Sequence, residues 1–216
     1  MHRQSIIFGS LLMIGLIAIT ATGYVNGWGP LETVRMGILR LTSGGQMVGS
    51  RSITEETKAP AAPDISYGLW INSEPLTLKS LRGRMVLIEF WTFACYNCRN
   101  TVPAVKKWDA QYRDKGLTII GVHTPESDLE RNVDDVRHEV GALGIKYPVV
   151  TDNDYSTWKA YGVEAWPTLF LLDRQGRVRW MHVGEGNYDE TEEVIKKLLT
   201  EAEPAQTSSL PVSVSR

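Results

Sequence analysis

Only two cysteines occur in the chain of 216 residues, Cys95 and Cys98, and they stand two residues apart in "FWTFACYNCRNTVP", Phe90 to Pro103. Thiols at that spacing can exchange with a disulfide: one attacks and forms a mixed disulfide, and the other attacks that bond and releases the partner. The apolar run "MVLIEFW", Met85 to Trp91, reads as a strand entering the pair, and a helix from Cys95 to about Lys115 reads as leaving it, with Gly116 to end it. Cys95 then lies at a helix N-terminus, where unpaired amides and the helix dipole favour a thiolate, and Cys98 lies one helical step further on. Two duller readings compete. A zinc site needs further ligands, and His2, His123, His138 and His182 show no paired metal spacing, so no metal is expected. A purely structural disulfide would close a very short loop and stabilise little.

The elements that must hold this pair are legible in the hydropathy. With 43% hydrophobic and 22% charged residues and a formal net charge of -2, the chain has enough apolar residues for one good core and lacks the basic excess that nucleic acid requires. From Ile6 to Val25 there is no charge, and that length suits the hydrocarbon core of a bilayer. His2 and Arg3 precede it, which orients the N-terminus to the cytoplasm and the rest to the outside. Residues 1–27 are therefore expected to be an uncleaved membrane anchor, with a cleaved signal segment and secretion as the rival. Residues 28–63 are read as a juxtamembrane stalk and tether: Trp28 to Leu41 carries one apolar helical face, and Thr42 to Pro63 is rich in Gly, Ser, Thr, Pro and Ala. The polar tail, 203–216, is expected to be disordered.

Residues 64–202 are expected to form one domain. "DISYGLWINSEPLTL", Asp64 to Leu78, reads as two short strands around a turn at Asn72 to Pro75, and "LTIIGVH", Leu117 to His123, as a buried strand. Ser127 and Glu130 read as a capping box for a helix with Leu129, Val133, Val136, Val140 and Leu143 inward. A short helix from about Asp154 to Tyr161 follows "YPVV". "TLFLLD" and "RVRWMHV" flank the turn "RQG" as a hairpin, and Asp189 and Glu192 read as caps of the last helix, with Val194, Ile195, Leu198 and Leu199 inward. The fold class is α/β: a mixed central sheet with helices on both faces, plus an N-terminal transmembrane helix.

From about Ala62 to Leu199 the chain resembles the membrane-anchored thiol:disulfide oxidoreductases of the TlpA/ResA/DipZ group, and among them the extracytoplasmic domain of the DipZ type. The resemblance rests on "FWTFACYNCRNTVP", "GLTIIGVHTPE", "YPVVTDNDYSTWKAYG", "WPTLFLLDRQGRVR" and "VGEGNYDETE", in that order. It implies a thioredoxin-like fold, with Cys95 as exposed nucleophile, Cys98 as resolving thiol and Pro103 as a helix-kinking proline. It makes Pro167 a cis proline facing the pair, and Trp166 a residue that contacts substrate where an extended chain pairs with the backbone. Glu89 matches a buried acid behind the cysteines, with a raised pKa and the proton of Cys98 to take or give; a salt-bridged charge at a strand edge is the other reading. Trp91 is read as a cover for the site that is also available to substrate, and Trp70, Trp108, Trp158 and Trp180 as packing. His123 is expected to be a capped loop histidine without chemistry.

Thioredoxin itself is similar but has aspartate in place of Glu89 and Gly-Pro in place of Tyr96-Asn97; as Tyr96 and Asn97 are uncharged, the redox direction stays open. The resemblance implies no cofactor, protein thiols or disulfides as substrates, a membrane electron carrier of the CcdA or DsbD kind, and a monomer. Two alternatives remain at this point. An AhpC/TSA-like peroxidase is suggested by Ala61 to Gly83 and by Thr92 three residues before Cys95, but Ile88 stands where that motif has proline. A non-catalytic thioredoxin-fold binding module would keep its cysteines locked.

Overall fold

The computed structural model describes residues 40–41, 47–52, 58–65 and 68–201. The expected membrane segment and the C-terminal tail lie outside the described residues. Strand β4 (Met85–Trp91) is buried at every position, as its unbroken apolar run requires. It pairs in parallel with β5 (Leu117–His123) and antiparallel with β7 (Thr168–Leu172). Beyond β5 lie β6 (Val149–Thr151), parallel, and β3 (Trp70–Ile71), antiparallel. Beyond β7 lies β8 (Val178–Val183), then β2 (Met47–Ser52) and β1 (Arg40–Leu41), all antiparallel. Among the described residues this makes one mixed sheet of eight strands in the order β1-β2-β8-β7-β4-β5-β6-β3.

Alternation along β4 divides the core in two. Met85, Leu87 and Trp91 pack with helices α1 (Tyr96–Tyr112), α2 (Val133–Ala142) and α4 (Tyr188–Thr200), through Val102, Val105, Trp108, Val136, Val140, Ile195 and Leu198. Val86, Ile88 and Phe90 pack instead with Leu78 and Leu81, and with Trp158 and Tyr161 in and just after helix α3 (Ser156–Ala160). The expected mixed sheet with helices on both faces is thus what forms. The β7–β8 hairpin closes on Gly176 with φ +70, a left-handed conformation that suits glycine, while Asp173 Oδ1 accepts from the amides of Gln175 and Arg177.

Five expectations need correction. The stretch read as a tether contributes β2, whose backbone completes the edge of β8; there Ser50 Oγ lies 3.0 Å from His182 Nδ1. Arg40 and Leu41, read as the end of a helical face, form β1. Of the two strands expected in Asp64 to Leu78 only β3 forms: Leu78 begins a turn, and its amide is held by Asp64 Oδ1 at 2.9 Å. The Ser127–Glu130 capping box is present, but on a 3-10 turn, Asp128–Glu130, that leaves Leu129 85% exposed; α2 starts later, capped by Asn132 on the amide of Asp134 at 2.9 Å. At α4 the capping position is Asn187, in a left-handed conformation, and Asp189 falls in the first turn.

Candidate active site

Strand β4 ends at Trp91, and four residues later Cys95 caps α1 from an extended conformation. Its Sγ accepts from the amide of Cys98 at 3.2 Å, so the sulfur sits where an N-cap side chain belongs. The two cysteines are disulfide-bonded, with Cα atoms 5.3 Å apart. Cys95 is half-buried and Cys98 has no exposed surface, a division that lets one sulfur meet a partner and keeps the other in reserve. Tyr96, between them, is 76% exposed. Pro103 lies inside α1, as expected, where its missing N–H leaves one helical rung unmade.

Glu89 lies on β4 on the same face of the sheet as Met85, Leu87 and Trp91, the face against which Cys98 packs. It is fully buried, and burial lifts its pKa to about 7 against the smaller opposing effect of one hydrogen bond, from Tyr147 Oη to Oε2 at 2.9 Å. Among the described residues its Oε1 has no partner, so it is no salt-bridged edge charge. Gly121 pairs with Glu89 across the strands, and a Cβ there would stand 2.9 Å from Trp91 Nε1 and 3.3 Å from the ring of Tyr147. Glycine is what leaves room for both rings beside β5.

The Trp166–Pro167 bond is cis, and the indole of Trp166 donates to the carbonyl of Thr124 at 3.0 Å and lies tilted against Trp158, with ring centroids 4.2 Å apart. Trp166 is half-buried and keeps part of its surface accessible. Trp91 does not: it has no exposed surface, so it packs beneath the site and substrate does not reach it.

His123 also differs from expectation. It is the last residue of β5 rather than a loop residue, it is wholly buried, and it stacks on Phe93 with its edge to Trp91. Its Nε2 lies 3.2 Å from Thr92 Oγ1, and the same hydroxyl donates to Glu130 Oε1. A hydroxyl that gives its one proton to the carboxylate must accept from the imidazole, which assigns the ring proton to Nε2. Desolvation takes the His123 pKa down to about 4, so the ring is neutral near pH 7. Thr92 is thereby committed to His123 and Glu130. The sequence signal for Glu130 was its capping box alone; nothing in the chain's local pattern linked it to Thr92.

These features can be set beside known proteins. The Redoxin family profile matches residues 57–199. The chain belongs to the Redoxin family. Protein DipZ of Mycobacterium bovis is 42% identical over 159 residues, 71% of this chain but 23% of the relative's length. The chain thus spans under a quarter of DipZ. The thiol-disulfide oxidoreductase ResA of Bacillus thuringiensis is 30% identical over 128 residues, covering 59% of this chain and 71% of ResA. Among solved structures, a thiol:disulfide interchange protein DsbE from Chlorobium tepidum superposes with a TM-score of 0.59 at 27% identity, over 65% of this chain and 96% of the other. A Redoxin domain with this cysteine pair is of the DipZ and ResA thiol-disulfide oxidoreductase type.

Proposed function

We propose that the whole protein is a membrane-tethered thiol:disulfide oxidoreductase working outside the cytoplasm, and that it acts as a reductase of protein disulfides. The observation that carries the exchange chemistry is the half-exposed Cys95 capping α1 over a fully buried Cys98. In the reducing direction the Cys95 thiolate attacks a substrate disulfide, one substrate sulfur leaves as a thiolate, and a mixed disulfide forms. Cys98 then passes its proton to the Glu89 carboxylate and attacks Cys95 Sγ, which releases the second substrate thiolate and closes the Cys95–Cys98 bond. A carboxyl with a pKa of about 7 exchanges protons with a thiol more readily than an ordinary glutamate does. Trp166, beside Pro167, supplies an apolar edge for the substrate chain.

Tethering is supported by the uncharged stretch from Ile6 to Val25. Outside the cytoplasm the pair tends to oxidise, so a reductase needs a supply of electrons, and a membrane electron carrier of the CcdA or DsbD kind suits that need. Apocytochrome c thiols are a fitting product.

Cys98→Ala tests the mechanism. It is expected to accumulate a mixed disulfide at Cys95 that thiol reductant releases; absence of any such adduct, where the wild type turns over, sinks it. The direction is tested by the equilibrium potential against glutathione. A value near that of thioredoxin, about -270 mV, supports the reductase, and one near about -120 mV makes the protein an oxidant.

A further inference from the structure

The backbone that delivers Cys95 hangs from a carboxylate that the exchange steps do not use. Glu130 is 2% exposed. Its Oε1 accepts from the Thr92 hydroxyl and from the amide of Ala94 at 3.1 Å, and its Oε2 accepts from the amides of Glu126 and Ser127 at 2.8 and 3.0 Å. One side chain therefore ties the two residues that flank Phe93 to the loop after β5. The same loop is held by Trp166 through the carbonyl of Thr124. Burial by itself would raise the Glu130 pKa, but the donors from Thr92, Ala94, Glu126 and Ser127 together outweigh it and hold the carboxyl below its ordinary range.

The surrounding charges do not cancel this anion. His123, from β5, is neutral near pH 7. Arg99, from α1, is turned outward to the carbonyl of Phe93 at 3.2 Å and to Glu139 at 3.0 Å. Arg131 pairs with Asp128 at the surface, and Asp152 is bonded to the Thr124 hydroxyl at 3.1 Å. Ala94 immediately precedes Cys95, so a fixed negative charge stands at the N-terminal side of the nucleophile, against the positive pole of α1.

We propose that Glu130 is the positioning residue that sets the acidity of Cys95, by fixing residues 92–94 and by holding a permanent negative charge on the amide of Ala94, the residue before a sulfur whose thiolate the helix N-terminus favours. The inference rests on exchange through Cys95 and not on its direction.

The test is a pH titration of the Cys95 thiolate by its ultraviolet absorbance, in the full chain carrying Cys98→Ala so that one thiol titrates. Glu130→Gln keeps the size and removes the charge, and is expected to make Cys95 about tenfold more acidic. Thr92→Val removes one donor and leaves the charge, and is expected to shift Cys95 by less than about threefold. An acidity in Glu130→Gln within about twofold of the parent overturns the proposal, as does a Thr92→Val shift as large and of the same sign. If Glu130→Gln does not fold, the carboxyl carbon resonance of Glu130 in the reduced wild type decides. It is expected to inflect at the pH where Cys95 ionises, and a flat resonance there overturns the proposal. Should the Cys98→Ala parent form no mixed disulfide with oxidised glutathione, exchange itself fails; if it does and the acidity is unmoved, only the role of Glu130 fails.

Discussion

Glu89 and Glu130 are both buried beside the same cysteine pair, yet they hold their protons in opposite ways. Glu89 meets one donor, Tyr147, and its pKa is lifted to about 7; Glu130 meets four, and its pKa is lowered. Burial is common to both, so the number of donors decides which carboxyl is a proton exchanger and which is a fixed charge. In the proposed exchange the first is suited to move a proton behind Cys98, and the second to fix residues 92–94 ahead of Cys95.

The contrast can be broken most forcefully at Glu130. Glu130→Leu strands three amides and a hydroxyl without their acceptor, and is expected to cost about 3 kcal/mol or more in urea unfolding near pH 7, a far larger loss than an exposed glutamate gives. A loss under about 1 kcal/mol would mean that water or a rearranged loop replaces the carboxylate.

Next in size is a pH effect at Glu89. Its folded pKa lies above the unfolded value of 4.5, so the folded state binds the extra proton between the two; that stabilisation is complete below the unfolded pKa and is lost as pH rises through about 7. Glu89→Gln has no such proton to lose. Relative to wild type it should gain about 3 kcal/mol between about pH 4 and about pH 8, measured as the difference of two denaturation curves at each pH. Glu130 and His123 run the other way. Each has a lowered folded pKa, so each contributes stability that is lost as pH falls.

The smallest expected effect sharpens the comparison from the donor side. Tyr147→Phe removes the one hydrogen bond that favours ionised Glu89 and should raise its proton affinity further, by about tenfold, read from the Glu89 carboxyl resonance. A fall instead would show that water enters and solvates the carboxyl.

How far this was visible in the sequence depends on the range of the contacts. β4 and β5 announce themselves because both faces of each are covered, which leaves an unbroken apolar run, and the β7–β8 hairpin does so because its turn needs Gly176. Glu89 was placed by resemblance, and its burial follows. β2 hid because only Met47 and Val48 of its six residues are apolar; it is held by rungs to β8, from Gly49 to Val183 and onward, and to β1. Glu130 was half legible: its capping box is a local pattern, but its bond to Ala94 spans 36 residues, and no periodicity encodes that. His123 closes the strand read from Leu117 to His123, but its burial against Phe93 and Trp91 and its contact with Thr92 come from distant segments and leave no local signal.

Among the described residues the sheet ends in β1 on one side and β3 on the other, each two residues long. A strand from another molecule would find only two rungs on either flank, too few to zip on along an open margin, so these short outer strands guard the sheet against edge-to-edge association.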